Sequence, residues 1–80
     1  MKVNVLAFGI AKDIFGSSCI EVELSSAATV ESLRAVLEEQ HPRLKQLTSY
    51  MVAVNDEYAE AGETIEQRDE VAIIPPVSGG

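Results

Sequence analysis

The spacing of apolar residues changes along the chain, and the changes limit what it can fold into. From Cys19 to Leu24 the stretch CIEVEL alternates, with Ile20, Val22 and Leu24 on one side and Glu21 and Glu23 on the other. A period of two belongs to a strand buried on one face. Val30, Leu33 and Leu37 then recur at spacings of three and four, the period of a helix with one apolar stripe. The runs Tyr50 to Val54 and Val71 to Ile74 return to strand-like composition. Near the start, Val3, Val5 and Ala7 share one parity and Lys2, Asn4, Leu6 and Phe8 the other, so a first strand is expected to run up to Gly9. The order strand, strand, helix, strand, strand predicts an α+β domain: a mixed sheet with the long helix packed across one face.

Local signals set the boundaries. Thr29 is the expected N-cap of the helix, with Glu31 in the first turn, where a carboxylate suits the helix dipole. Pro42 disfavours helical geometry at His41, so the helix should stop near Gln40 or His41, and PRLKQL then makes a short turn carrying Leu44 and Leu47. IAKDIF, closed by Gly16, reads as a helical turn, and the strands on either side of it as a hairpin. Asn55-Asp56 and Gln67-Arg68-Asp69 read as turns, with a loop containing Gly62 between them. Pro75 and Pro76 stop the last strand, because proline cannot donate to a ladder. Residues 1–74 are expected to form the domain and 75–80 a flexible extended tail.

An 80-residue chain with 46% hydrophobic and 24% charged residues builds one core and no second domain. Thirteen acidic against six basic residues give a formal net charge of −7, which repels phosphate backbones, so no nucleic-acid partner is expected. Acidity of this size favours attraction to a basic protein surface. A single Cys19 precludes an internal disulfide, MKVNVLAF lacks the pattern of a secretory signal, and no apolar run approaches membrane-spanning length. These features predict a soluble, cytoplasmic protein with no membrane partner.

Side-chain catalysis finds little support. With one Cys, one His and no nucleophile-elbow or phosphate-loop motif, the chain is a poor candidate for a self-sufficient enzyme. Cys19, within a strand pattern, reads as a small buried hydrophobe, and His41 as a surface residue at a helix C-terminus. Glu38-Glu39 and the acidic stretch 56–70 lack the spacing of a calcium loop, and no metal site is expected.

The ending IIPPVSGG is different. An α-carboxylate is ionised at neutral pH and can attack the α-phosphate of ATP when an enzyme brings the two together. Gly79 and Gly80 supply a narrow end with no side chains near the reacting carbonyl. Pro75 and Pro76 bias the preceding backbone to extended geometry, and six residues from Pro75 would reach about 20 Å. Such a tail can enter a cleft that the body cannot.

Along its whole length the chain resembles the small, sulfur-carrying subunits of molybdopterin synthase, a ubiquitin-like β-grasp family related to the thiamine-pathway sulfur carriers. The resemblance rests on a first strand ending in Phe8, a short charged turn closing on Gly16, the helix start TVESL, the strand end VAVN, and DEVAIIPPVSGG. It implies that Gly80 is adenylated by an activating enzyme similar to those that charge ubiquitin, and is then converted to a thiocarboxylate. ATP is used by that enzyme, and the chain itself binds no cofactor. The sulfur is delivered into the large synthase subunit, within a heterotetramer, where cyclic pyranopterin monophosphate becomes molybdopterin. Gly79 then gives access, and Ser78 and Val77, following Pro76 and Pro75, thread the partner's channel. Arg68 stands where the family commonly has glycine, and takes a positive φ only at a cost. Gly9 stands where alanine is usual, a change expected to loosen the first loop. Three other fates of such a terminus remain open: a carrier for the thiamine pathway, a ubiquitin-like modifier joined through Gly80 to lysines, and an inert binding domain with an accidental tail.

Strand parity points to the partner's surface. If Val3, Val5, Ala7, Val71 and Ile73 face the helix, then Leu6, Phe8, Ala72 and Ile74 face away. In a β-grasp fold the first and last strands are neighbours, so these outward residues would form one apolar patch beside the root of the tail, expected to meet the large subunit.

Overall fold

The computed structural model describes residues 1–47 and 49–75. The expected tail residues Pro76, Val77, Ser78, Gly79 and Gly80 lie outside them. Strand β1 (Lys2–Ala7) pairs antiparallel with β2 (Cys19–Glu23), and helix α1 (Ile10–Phe15) fills the connection. Helix α2 (Val30–Gln40) and a 3₁₀ turn (Pro42–Gln46) lead to β3 (Met51–Val54), β4 (Glu57–Tyr58) and β5 (Val71–Ile74). The sheet runs in the order β2-β1-β5-β3-β4, with β1 and β5 parallel and every other pair antiparallel. First and last strands are therefore central neighbours, and the chain leaves the middle of the sheet at Ile74.

The buried cluster joins the two periodicities. Val3, Val5 and Ala7 of β1, Val22 of β2, Val52 of β3, and Val71 and Ile73 of β5 meet Val30, Leu33 and Leu37 of α2, with Phe15, Leu44 and Ile65 closing the ends. Leu37 is fully buried. Leu37→Ala should lower unfolding free energy by about 3 kcal/mol, through lost transfer free energy and an unfilled cavity, as read by chemical denaturation.

The start of α2 is tied down at each exposed donor. Thr29 is the N-cap, its Oγ1 accepting from the Ser32 amide at 3.3 Å. The Val30 and Glu31 amides donate to the carbonyls of Glu63 and Ala61, both at 2.9 Å. The helix thus borrows the 60–65 loop to satisfy orphan donors that no turn of its own can meet. It ends at Gln40, and His41 is its C-cap. The His41 ring is half-buried and lies 4.7 Å from that of Phe15, so it packs α1 against the helix end rather than standing free at the surface.

Tyr50 is buried just before β3, where the Tyr50 hydroxyl donates to Glu38 at 2.5 Å and accepts from Arg34 Nε at 3.3 Å. Burial, and then the bond to Glu38, push the Tyr50 phenol above its ordinary pKa. At the far end of β3, Asn55 and Asp56 both take positive φ, 53° and 68°, the geometry of a two-residue hairpin turn. Asn55 then bridges to the last turn: its Nδ2 donates to Asp69 Oδ1 at 3.1 Å and its Oδ1 accepts from the Glu70 amide at 3.0 Å. Asp69 Oδ2 in turn accepts from the Glu66 amide at 2.8 Å. Side-chain bonds close this turn, and Arg68 is not among the residues at positive φ, so the absence of glycine there is accommodated.

Three further expectations are corrected. The sheet has five strands, because β4 adds Glu57–Tyr58 beyond the Asn55-Asp56 turn; two exposed residues carry no alternation to reveal a strand. Cys19 is exposed. It opens an edge strand on the Glu21 and Glu23 side, away from the core, so the alternation that buries Val22 exposes the thiol. Gly9 does not loosen the first loop. It sits at φ 54°, ψ −131°, a backbone region that side chains rarely enter, against the ring of Pro75.

Candidate functional site

Helix α2 covers one face of the sheet, and the other carries the outward residues of all five strands. Backbone register sets them in rows. Leu6 pairs with Cys19 on one side and Ala72 on the other; Ala72 pairs with Ala53, and Ala53 with Tyr58. This row crosses the whole sheet. The next row, at the end where β5 leaves the sheet, pairs Ile74 with Met51, and Phe8 follows the last paired residue of β1.

A groove of about 350 Å³ lies along these rows, lined by Leu6, Phe8, Ala53, Tyr58, Ala72 and Ile74, with Asp56 and Glu70 at its polar margin. The small alanines of β5 and β3 form its floor, and larger side chains rise around them. Phe8 is 51% exposed and Tyr58 66%, so the rim presents aromatic surface to water, and Met51, 48% exposed, stands next to Ile74 on the same face. Contiguous apolar surface of this kind on a small domain marks an interaction site. All four residues expected to form an outward apolar patch line this groove.

The sequence reading missed Met51, Ala53 and Tyr58. The alternation of YMVAV, with Val52 buried, would have placed Met51 and Ala53 on the open face. Tyr58 had no such signal, since its strand is two residues long. Among the described residues no group of three or more His, Cys, Asp or Glu is arranged to hold a metal ion, and no helix is long and apolar enough to cross a membrane. The groove can bind a protein surface.

Pro75 is the last described residue, half-buried beside Gly9 at the head of the groove. Of the expected tail residues only Pro75 is therefore placed, and it joins the patch to the chain's end.

Known proteins share this arrangement along their full length. A molybdopterin synthase sulfur carrier subunit from Caenorhabditis briggsae is 37% identical over 83 residues, spanning 100% of this chain and 99% of that protein. A putative molybdopterin converting factor, subunit 1, from Pyrococcus furiosus superposes with a TM-score of 0.88 at 27% identity, covering 96% of this chain and 99% of that one. SAMP1 from Haloferax volcanii gives 0.86 at 29% identity, with 100% of both chains covered. In a protein–protein complex of subunits 1 and 2 of the Helicobacter pylori molybdopterin-converting factor, the matching chain gives 0.70 at 27% identity, again with 100% of both covered. A Caldiarchaeum subterraneum ubiquitin shares the fold alone, at a TM-score of 0.65 and 22% identity, covering 100% of this chain and 98% of that one. Residues 5–80 match the ThiS family. With a relative so similar over its whole length and a ubiquitin-like β-grasp fold, the chain belongs to the ThiS family.

Proposed function

We propose that the chain is the sulfur carrier of a two-subunit molybdopterin synthase. The observation that carries this reading is that the family match extends through the last residue, so that the Gly79-Gly80 end is part of the similarity. The apolar groove beside Pro75 supports it, because a carrier must dock where its tail enters the partner.

In this reading a Gly80 carboxylate oxygen attacks the α-phosphorus of ATP on an activating enzyme, and pyrophosphate leaves. A sulfur nucleophile then attacks the acyl carbonyl, AMP leaves, and Gly80 ends in a thiocarboxylate. The large subunit binds the groove, receives the tail through Pro75, Pro76, Val77 and Ser78, and supplies the acid–base groups for the transfer. The thiocarboxylate sulfur bonds to cyclic pyranopterin monophosphate, and water then cleaves the acyl–sulfur bond, which leaves the sulfur on the pterin and returns Gly80 to a carboxylate. Similarity to a chain from a complex of subunits 1 and 2 supports such a partner.

Reconstitution tests the acceptor. The thiocarboxylated chain should convert the pyranopterin precursor with a molybdopterin synthase large subunit and be inert with a thiazole synthase; the reverse pattern would place it in the thiamine pathway. Likeness to SAMP1, named with other structures of this group as a small archaeal modifier protein, favours a second reading in which Gly80 forms isopeptide bonds with lysines. Thiol-resistant, higher-mass conjugates in cell extracts are expected to be absent under the carrier reading and abundant under the modifier reading.

A further inference from the structure

The parallel pairing of β1 with β5 runs Val5 with Val71, Leu6 with Ala72 and Ala7 with Ile73. Two residues further in the same register stand Gly9 and Pro75. Proline has no amide hydrogen, so the ladder cannot continue there. A steric contact takes its place: a Cβ on Gly9 would lie 3.2 Å from Pro75 Cγ, so the ring rests against a bare Cα. The glycine is held from its other side, since its carbonyl accepts from the Lys12 amide and that of Phe8 accepts from the Ala11 amide, both at 3.1 Å. With φ 54° and ψ −131°, Gly9 closes the start of α1 in a backbone region that alanine enters only under strain. Two independent features, the backbone angle and the close approach, thus favour glycine at the point where the chain leaves the sheet.

We propose that Gly9 is a positioning residue for the C-terminal tail: it is the seat for Pro75, and through Pro75 it sets the direction in which the chain leaves β5. This rests on the sulfur-carrier reading. Five residues follow Pro75, a reach of about 16 to 18 Å when extended, so a small change of direction at the root becomes a displacement of ångströms at Gly80. A misplacement of about 1 Å at a reacting centre lowers rates by about a hundredfold. An unseated tail also samples more directions, and capture by the partner then removes more conformational freedom. An alanine at this place would hold the same backbone only under strain, and only with Pro75 shifted by a few tenths of an ångström.

The test is a double-mutant cycle of Gly9→Ala and Pro75→Ala in thiocarboxylated chain, reading single-turnover sulfur transfer at saturating large subunit, with affinity and thermal unfolding measured alongside. Gly9→Ala should slow saturated transfer about tenfold or more and leave affinity within about threefold. In the Pro75→Ala background, where the seat is already empty, the same substitution should change the rate little. Equal effects in both backgrounds would mean that Gly9 acts through the fold and would overturn the proposal, as would an unchanged saturated rate in Gly9→Ala. If Gly9→Ala does not fold, Pro75→Ala alone decides: slowed saturated transfer supports the seat and a wild-type rate overturns it. Failure of the wild-type chain to acquire sulfur would count against the carrier reading instead. The seat is then judged by the nuclear Overhauser contact between the Gly9 α-protons and the Pro75 ring, which its absence from the wild-type chain would refute.

Discussion

A chain ending at Ser78 should unfold at the temperature of the full-length protein and transfer no sulfur. Among the described residues every member of the buried cluster lies between Val3 and Ile73, so removing Gly79 and Gly80 is expected to leave that core intact. The chemistry stands to lose everything. The truncated chain still ends in a carboxylate, but set back by two residues, or about 7 Å of extended chain. That shortfall is several times the misplacement that already lowers rates a hundredfold. The Ser78 carboxylate also carries a side chain where the reading requires none. Thermal unfolding and molybdopterin formation, measured on the same preparation, check both halves. Retained activity would remove the terminus from the mechanism, and a lowered unfolding temperature would mean that the tail is part of the fold.

Phe8→Asp should separate docking from folding. Phe8 is 51% exposed, lines the groove beside Ile74, and belongs to no part of the buried cluster, so its replacement leaves the core intact. In a complex that buries the groove, the same change loses an aromatic anchor and places a carboxylate in an apolar contact. We expect affinity for the large subunit to fall by about 3 kcal/mol, more than a hundredfold, with thermal unfolding nearly unmoved. Unfolding or aggregation of the variant would mean that Phe8 is structural. Unchanged affinity would mean that this face does not meet the large subunit.

The helix and the two strands of the hairpin were legible because their apolar residues are long-range regular. Ile20, Val22 and Leu24 alternate with glutamates on an edge strand, and Val22 and Leu24 are buried as that pattern requires. Thr29 was legible as a cap because its hydroxyl reaches the Ser32 amide within one turn. What stayed hidden depends on contacts between segments distant in the chain. The strand at Glu57–Tyr58 exists because Ala53 and Val54 offer it an edge, and the turn at Arg68 closes through Asn55, 13 residues upstream, by way of Asp69 and Glu70. The same holds for the close approach at Gly9, which comes from Pro75 near the other end of the chain. Parity placed Leu6, Phe8, Ala72 and Ile74 on the open face, while Tyr58, which completes the groove, arrives only with the unforeseen strand.

The central claim is that sulfur is carried on Gly80. Intact-protein and C-terminal peptide mass spectrometry, on chain co-expressed with an active activating enzyme, tests it most directly. The account predicts a species in which one terminal oxygen is replaced by sulfur, located on the Gly80 carboxyl group and absent when the enzyme is omitted. Its persistent absence while the enzyme still charges a known carrier, or its placement on the exposed thiol of Cys19 instead, would contradict the account.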